Sequence, residues 1–348
     1  MSITSLQQLG TVLLSPLFTF INQKLTENIP SQEPIFFLAR EGYWLSRSYS
    51  KYCRVNELAD NGRYMLVSRA FLFKIGLLEA KTLPYSLNFN FKGTLYELMR
   101  SRFMLSDISI NSLFSEKEQQ QAVNLPQNLN KVSALLVKKS DQLIPIIKPS
   151  MDAYRQYLTS IGFFDNDSVN IVDLGYSGTI QTLLTILFQK DTVGHYLIAS
   201  NPGEQRIASQ KLIMRGYLKE GVKMSGGYIP LDRSMFLEAL LTAPVGQFQD
   251  IRLSILPNNL FDIYYGRKVT SQYQFHLLEQ VCSGAIKQMS QYTTDKVIFS
   301  RQEIEEIYIQ FVTKKGMLPK SSWPLFSIDD DTAGEGTVNG LDFFGLKQ

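Results

Sequence analysis

The stretch Val169-Asn170-Ile171-Val172-Asp173-Leu174-Gly175-Tyr176-Ser177-Gly178-Thr179-Ile180-Gln181 decides the fold of this 348-residue chain. Val169, Ile171 and Val172 form a β-branched run suited to a buried strand. Ile180, Leu183, Leu184 and Leu187 then fall at i, i+3, i+4 and i+7, one apolar face of a helix. The period changes inside the loop, so a strand ending in an acid feeds a small-residue turn and a helix. A helix starting near Thr179 leaves its first N–H groups free and carries partial positive charge, so the Ser177-Gly178-Thr179 turn can seat a phosphate while Asp173 faces the same crevice. The structural alternative is that Gly175 and Gly178 only shape a tight turn, with Ser177 or Thr179 as an ordinary N-cap. No Lys follows the glycines and the spacing is not G-x-G-x-x-G, so neither a P-loop nor a dinucleotide fingerprint is present.

Working outward, Pro34 to Ala39 is a short continuous apolar run, the pattern of a strand covered on both faces, and it stops at Arg40-Glu41-Gly42. A helix is expected from about Tyr43 to Arg54, then a second strand over Tyr64 to Ser68, stopping at Ser68-Arg69. Three strands thus end in polar or charged residues. In open α/β sheets ligands bind outside the carboxyl ends of the strands, so these ends are expected to converge on one pocket. Further strands are expected at Tyr196 to Ala199 and Leu212 to Leu218, and strand-like or irregular chain over Asp250 to Tyr265. Helices are expected at Thr94 to Leu105, Ser234 to Leu241, Gln272 to Gln291 and Arg301 to Lys314. Pro145 and Pro149 should kink or break a helix lying between Val132 and Ile161.

The pattern predicts a single α/β domain over residues 1–348. Its central, mostly parallel sheet is flanked by helices, with a largely helical insertion at 83–165 and a helical C-terminal region with a loop-rich tail at 270–348.

Hydrophobic residues at 44% and charged residues at 19% describe a globular chain. A net charge of +3 with no long basic run argues against nucleic acid as a partner. Two distant cysteines, Cys53 and Cys282, make neither a disulfide framework nor a metal knuckle and point to a reducing compartment. His195 and His276 are the only histidines, too few for a His-rich metal site. His195, in an apolar run, reads as a satisfied core residue. The apolar segment Leu9 to Ile21 contains Pro16 and is too short to span a bilayer; it reads as a buried or docking helix. Without a signal peptide the expected location is cytoplasmic, with Phe18, Phe20 and Ile21 available to rest on the inner face of the membrane or a membrane-bound partner.

Phe36-Phe37-Leu38-Ala39-Arg40-Glu41-Gly42-Tyr43, Leu66-Val67-Ser68-Arg69-Ala70 and Ile171 to Gln181 resemble, in that order, three motifs of one bacterial family. These are F-x-x-R-D-G-Y, V-S-R-R and V-D-I-G-W-x-G-T-x-Q. They belong to the glycan-specific phosphoribosyltransferase part of ribofuranosyltransferases, often fused to a haloacid-dehalogenase-type phosphatase. The resemblance runs from the N-terminal helix to at least Gly246. It implies transfer of a 5-phosphoribosyl group from 5-phosphoribosyl 1-diphosphate (PRPP) to a hydroxyl of a lipid-linked surface glycan such as O-antigen or capsule. Diphosphate is released, and a separate phosphatase removes the 5-phosphate, since no Asp-x-Asp-x-Thr signature follows an N-terminal strand here.

On that reading Ser177, Gly178 and Thr179, with Gly175 shaping the loop, suit the monophosphate, while Arg40 and Arg69, with Gly42 and Ser68 beside them, hold the diphosphate; the two ends can be exchanged. Asp173 meets a ribose hydroxyl, Mg²⁺ or oxocarbenium-like charge. Glu41 is the candidate general base, or orients Arg40 by a salt bridge. Glu41 replaces the family's Asp. Ala70 replaces a second Arg, which leaves the diphosphate short of a cation unless Lys74 or Arg47 substitutes. Asp173 is followed by Leu174 rather than a second acid, so metal geometry cannot be borrowed from ordinary phosphoribosyltransferases.

Further candidates are Gln181, Arg215 and Glu238. Arg215 is a third phosphate ligand or an edge-strand residue paired with Glu220 or Asp232. Glu238 points into the pocket or pairs with Arg233 or Arg215. Asp165-Asn166-Asp167 has a metal-binding D-x-D form, but its place just before a strand favours a turn. Asp329-Asp330-Asp331 reads as a solvated loop. Two other functions fit less of the pattern: a transferase using a sugar nucleotide, and a noncatalytic module of a polysaccharide assembly complex.

Overall fold

In the structure, a computed structural model describing residues 5–329 and 337–347, the apolar N-terminal segment is one nearly continuous helical rod. A turn at Leu6–Leu9 and a π-turn at Gly10–Leu14 lead into α1 (Ser15–Asn28), with Pro16 in the first turn, where its missing N–H leaves no bond unmade. The chain continues through β1 (Ile35–Leu38), α2 (Gly42–Val55), β2 (Gly62–Met65) and α3 (Arg69–Gly76) into an insertion that ends with α4 (Ser140–Ser160). Then come β3 (Ser168–Asp173), α5 (Thr179–Phe188), β4 (Asp191–Ala199), β5 (Gly203–Ile207) and β6 (Gln210–Glu220). The last part holds α6 (Met235–Leu241), the hairpin β7 (Phe248–Leu253) and β8 (Phe261–Tyr265), α7 (Phe275–Thr294) and α8 (Arg301–Thr313).

Six strands form one sheet in the order β2-β1-β3-β4-β6-β5, parallel except for the antiparallel edge strand β5. Every residue of β1 is buried, as the unbroken apolar run requires of a strand covered on both faces. Ile35, Phe37 and Val172 pack into a core shared with α1, α2, α6 and α7. Phe36, Leu38 and Ile171 face the opposite core, built with α3, α4 and α5. From β1 the chain goes to its neighbour β2 and then crosses to β3 on β1's other side. The topological switch point therefore lies between the carboxyl ends of β1 and β3, where Arg40-Glu41 and Asp173 emerge.

Several sequence expectations are corrected. β2 pairs over Gly62–Met65 rather than Tyr64 to Ser68, because tyrosine side chains take the backbone beyond it. Leu66 N–H donates to Tyr157 Oη and the Tyr154 hydroxyl donates to the Leu66 carbonyl, each at 2.9 Å. The helix expected at Thr94 to Leu105 runs Leu95–Ser101, with Thr94 as its cap. The insertion also holds a small antiparallel pair, Phe91–Thr94 with Ala122–Leu125. Pro145 and Pro149 do not end a helix: both lie inside α4, and the break falls earlier, at Lys139. Leu143, Ile147, Ser150, Tyr154 and Leu158 bury one face of α4, and this tertiary burial offsets the lost helical bonds.

The N-terminal rod is core rather than a membrane surface: Phe18, Phe20 and Ile21 are at most 1% exposed and belong to the core that α7 shares. In the tail, a short ladder, Ser327–Asp329 with Thr337–Asn339, precedes a helical turn at Gly340–Phe343; Asp330, Asp331, Gly334 and Gly336 lie outside the described residues. No helix among the described residues is long and apolar enough to cross a membrane.

Candidate functional site

The β3–α5 loop takes its shape from two glycines. Gly175 has φ +144°, and a Cβ there would run into the Ile198 carbonyl; Gly178 has φ +76° and is the N-cap of α5. Neither Ser177 nor Thr179 caps the helix, contrary to the plain-turn alternative. Their hydroxyls lie 3.1 Å apart, and Asn201 Nδ2 donates to the Ser177 carbonyl (3.3 Å). The Thr182 N–H reaches the Gly178 carbonyl (2.9 Å), so the N–H groups of Thr179, Ile180 and Gln181 precede the first helical bond. This end of α5 opens on a cavity of about 300 Å³, lined by Ser177, Gly178, Thr179, Tyr85, Phe89 and Asn201 among others. Arg69, the first residue of α3, holds its guanidinium 5.1 Å from the centre of the Phe89 ring that walls this cavity.

At the switch point a second cluster forms, and it is acidic. The Leu174 N–H donates to Asp173 Oδ1 (2.8 Å), and the Arg40 N–H donates to Glu41 Oε2 (3.1 Å). Burial pushes the Asp173 carboxyl well above the usual carboxylate range, aided by Glu41 and Glu238 and opposed by the Leu174 and Gly175 N–H groups. Glu238, on α6, accepts from the Tyr176 and Ser234 hydroxyls, each at 3.1 Å. Gly42 starts α2 so close to the Phe37 backbone that a Cβ would sit 2.6 Å from its carbonyl carbon. The peptide bonds Ala39–Arg40 and Gly175–Tyr176, one in each loop, are cis.

The expectation of a single pocket is therefore corrected. Asp173, Glu41, Arg40 and Glu238 gather at the β1–β3 switch point, whereas the cavity at α5 has none of them in its lining. Three other candidates leave the site. Ser68 is the N-cap of α3: it accepts from Phe71 N–H (3.0 Å) and donates to the Phe248 carbonyl (2.6 Å). Gln181 is fully buried, giving Nε2 to the Ile213 carbonyl (2.9 Å) and Thr192 Oγ1 (3.1 Å) while accepting from the Tyr196 hydroxyl (2.9 Å).

Arg215 is exposed on β6, next to the His195–Tyr217 pair, while its neighbour Met214 lines the α5 cavity; strand alternation puts Arg215 on the opposite face. β6 is not an edge strand, and Glu220 and Asp232 spend their carboxylates on backbone N–H groups instead. Of the two proposed stand-ins for the missing cation, Lys74 is paired with Asp250 (2.9 Å), while Arg47, exposed, stacks on Tyr43 (3.5 Å to the centroid).

His195 is the satisfied core residue expected. Asn170 gives its amide to Glu33 Oε2 (2.7 Å), so its Oδ1 accepts from His195 Nε2–H (3.1 Å) and Nδ1 accepts from the Tyr217 hydroxyl (2.7 Å). Asp165-Asn166-Asp167 lies in the turn before β3, as its position suggested, and no group of three metal-ligating side chains converges among the described residues.

Tyr64 is the residue that sequence reasoning missed. Its buried hydroxyl has no hydrogen-bond partner and lies near enough to Glu41, Tyr265 and Arg40 to feel their charge. Its tyrosine inside a strand gave no signal, since half-buried strands commonly carry one. No protein family and no curated protein matches the chain.

Proposed function

We propose that this chain is a glycan phosphoribosyltransferase, moving a 5-phosphoribosyl group from PRPP to a hydroxyl of a bacterial surface glycan with release of diphosphate. The observation that carries the reading is the switch point itself: acids and Arg40 at the carboxyl ends of β1 and β3, beside a helix whose free N–H groups open on a cavity. PRPP is an anion at both ends with reactive C1 between them. The α5 terminus, with Arg69 beside the Phe89 wall of its cavity, suits the 5-phosphate, and Arg40 at the switch point, near the unpartnered Tyr64 hydroxyl, suits the diphosphate.

In the reaction the bond from C1 to the diphosphate oxygen breaks and the acceptor oxygen bonds to C1. Glu41 takes the acceptor's proton, and the electron pair leaves on diphosphate beside Arg40. Asp173, once ionised, faces the positive charge developing at C1. Surplus carboxylate at the switch point fits Mg²⁺ arriving on the diphosphate, since that ion is commonly held by one or two carboxylates plus substrate phosphates; Asp173 would hold it. Bound there, Mg²⁺ would neutralise leaving-group charge.

The deciding experiment incubates the chain with PRPP, Mg²⁺ and acceptor glycans and looks by mass spectrometry for one added phosphoribosyl unit. If no cognate acceptor gains it and PRPP does not raise the melting temperature, the reading fails. A second reading, a sugar-nucleotide transferase, draws on Tyr85 and Phe89 in the cavity wall, which suit a nucleobase; release of a nucleoside diphosphate instead of diphosphate selects it.

A further inference from the structure

Seven of the sixteen exposed large apolar side chains among the described residues fall within thirteen positions, 253–265, of the β7–β8 hairpin. At its tip Ile255 is 96% exposed, Leu260 75% and Leu256 57%. A water-facing hairpin tip ordinarily carries turn formers such as Ser, Pro and Asn; here Ser254, Pro257, Asn258 and Asn259 are of that kind, but Ile255, Leu256 and Leu260 stand among them. The root, by contrast, is fixed in the core: Ile251 is buried, and the Phe248 ring packs 4.7 Å from Phe71 and 5.9 Å from Tyr154.

The ribbon has an order along its length. Aliphatic side chains occupy the tip, the exposed Tyr264 and Tyr265 follow, and the exposed Arg267 and Lys268 come next. Arg252 lies across the ladder from Asp262, and the other nearby acid, Asp250, is held by both Arg252 (3.1 Å) and Lys74 (2.9 Å), so the four cations Arg252, Lys74, Arg267 and Lys268 outnumber the two acids. An aliphatic tip followed by a mixed band of charged residues and tyrosines, with Arg267 and Lys268 at its far end, is the chemistry met on leaving a bilayer from its acyl boundary through its headgroups. Phe261 pairs with Leu253 at the end of the ladder and its ring packs 6.0 Å from Tyr157, so the ladder rests on the body of the protein. The tip, residues 254–260, extends beyond it by about three residues, roughly 10 Å, comparable with the ~5–10 Å that an interfacial element buries.

We infer that the β7–β8 hairpin is a membrane-interface anchor, its aliphatic tip entering the acyl boundary of an anionic leaflet while Arg267 and Lys268 meet the headgroups. The Ser68–Phe248 hydrogen bond ties the hairpin root to the chain leaving β2, so anchoring brings the carboxyl edge of the sheet toward the leaflet. The anchor stands apart from the transfer reaction, because lipid binding is read with no substrate present.

The test is flotation of the full chain with vesicles of phosphatidylcholine, with and without phosphatidylglycerol. The wild-type chain floats with the anionic vesicles. Ile255→Asp/Leu256→Asp lowers binding roughly tenfold or more, Lys268→Gln lowers it about fivefold, and Ile108→Asp, an exposed apolar site elsewhere in the sequence, leaves it unchanged. Melting temperatures matching wild type show that the variants fold. A Leu256→Trp variant reports the tip directly, its emission shifting to the blue on vesicle addition. The inference is overturned if the wild-type chain stays in solution, if the double variant floats equally well, or if the double variant instead converts a dimer of this chain into a monomer while neither form binds vesicles.

Discussion

The Asp173 carboxyl binds its proton more tightly in the folded chain than in the unfolded one, because burial and the neighbouring Glu41 and Glu238 disfavour its charge. Stability then falls as pH rises from about 3.9, the unfolded value, through the folded value, and is level above it. Asp173→Asn removes that cost and keeps an acceptor for the Leu174 N–H. It is expected to melt above wild type at neutral pH, with the gap closing in acid, and to lose transfer by about 100-fold or more. Thermal unfolding across pH, set beside the phosphoribosyl assay, checks both. His195 has the opposite sign. Burial and the nearby Arg215 hold it down to about 3, so stability is intact above an unfolded value of about 6.5 and is lost as pH falls toward about 3. Denaturant unfolding should show a His195 slope of about 1.4 kcal/mol per pH unit in that window, absent in His195→Gln.

Among the elements, α3 shows how a residue chosen for chemistry can prove to hold structure. Ser68 ends the run that resembles a phosphate-binding motif, yet its hydroxyl caps α3 and ties down the hairpin root. Ser68→Ala should cost ~1–2 kcal/mol in denaturant unfolding and leave the affinity for PRPP unchanged. The elements legible beforehand, β1, α2, β3 and α5, are those whose apolar spacing follows one period without interruption. β2 and α4 were misread because side chains from elsewhere decide them: Tyr154 and Tyr157 claim the backbone after β2, and a buried face carries α4 past two prolines. Local propensity holds no record of either.

At the scale of the whole molecule, the N-terminal rod takes the buried one of the two places its composition allows, while the hairpin tip is exposed. The more apolar segment is core, and Phe18→Ala is expected to cost ~3–5 kcal/mol in unfolding while leaving vesicle flotation unchanged in the fraction that remains folded. The hairpin, whose apolar residues are broken up by turn and charge, is the one that faces outward. Hydrophobic patterning states that a side chain avoids water, and it does so identically for a core and for a lipid surface.

By itself the sequence determined the α/β class, the parallel strands and the acid-glycine-helix loop, because each follows from side-chain period and backbone preference within a few residues. Only the tertiary structure decided which strand ends meet. The crossing from β2 over to β3 joins Arg40, Glu41 and Asp173 and brings in Glu238 from α6, and pleat alternation along β6 sends Arg215 to the far face. Those outcomes rest on contacts between residues far apart in the chain, which no local window contains.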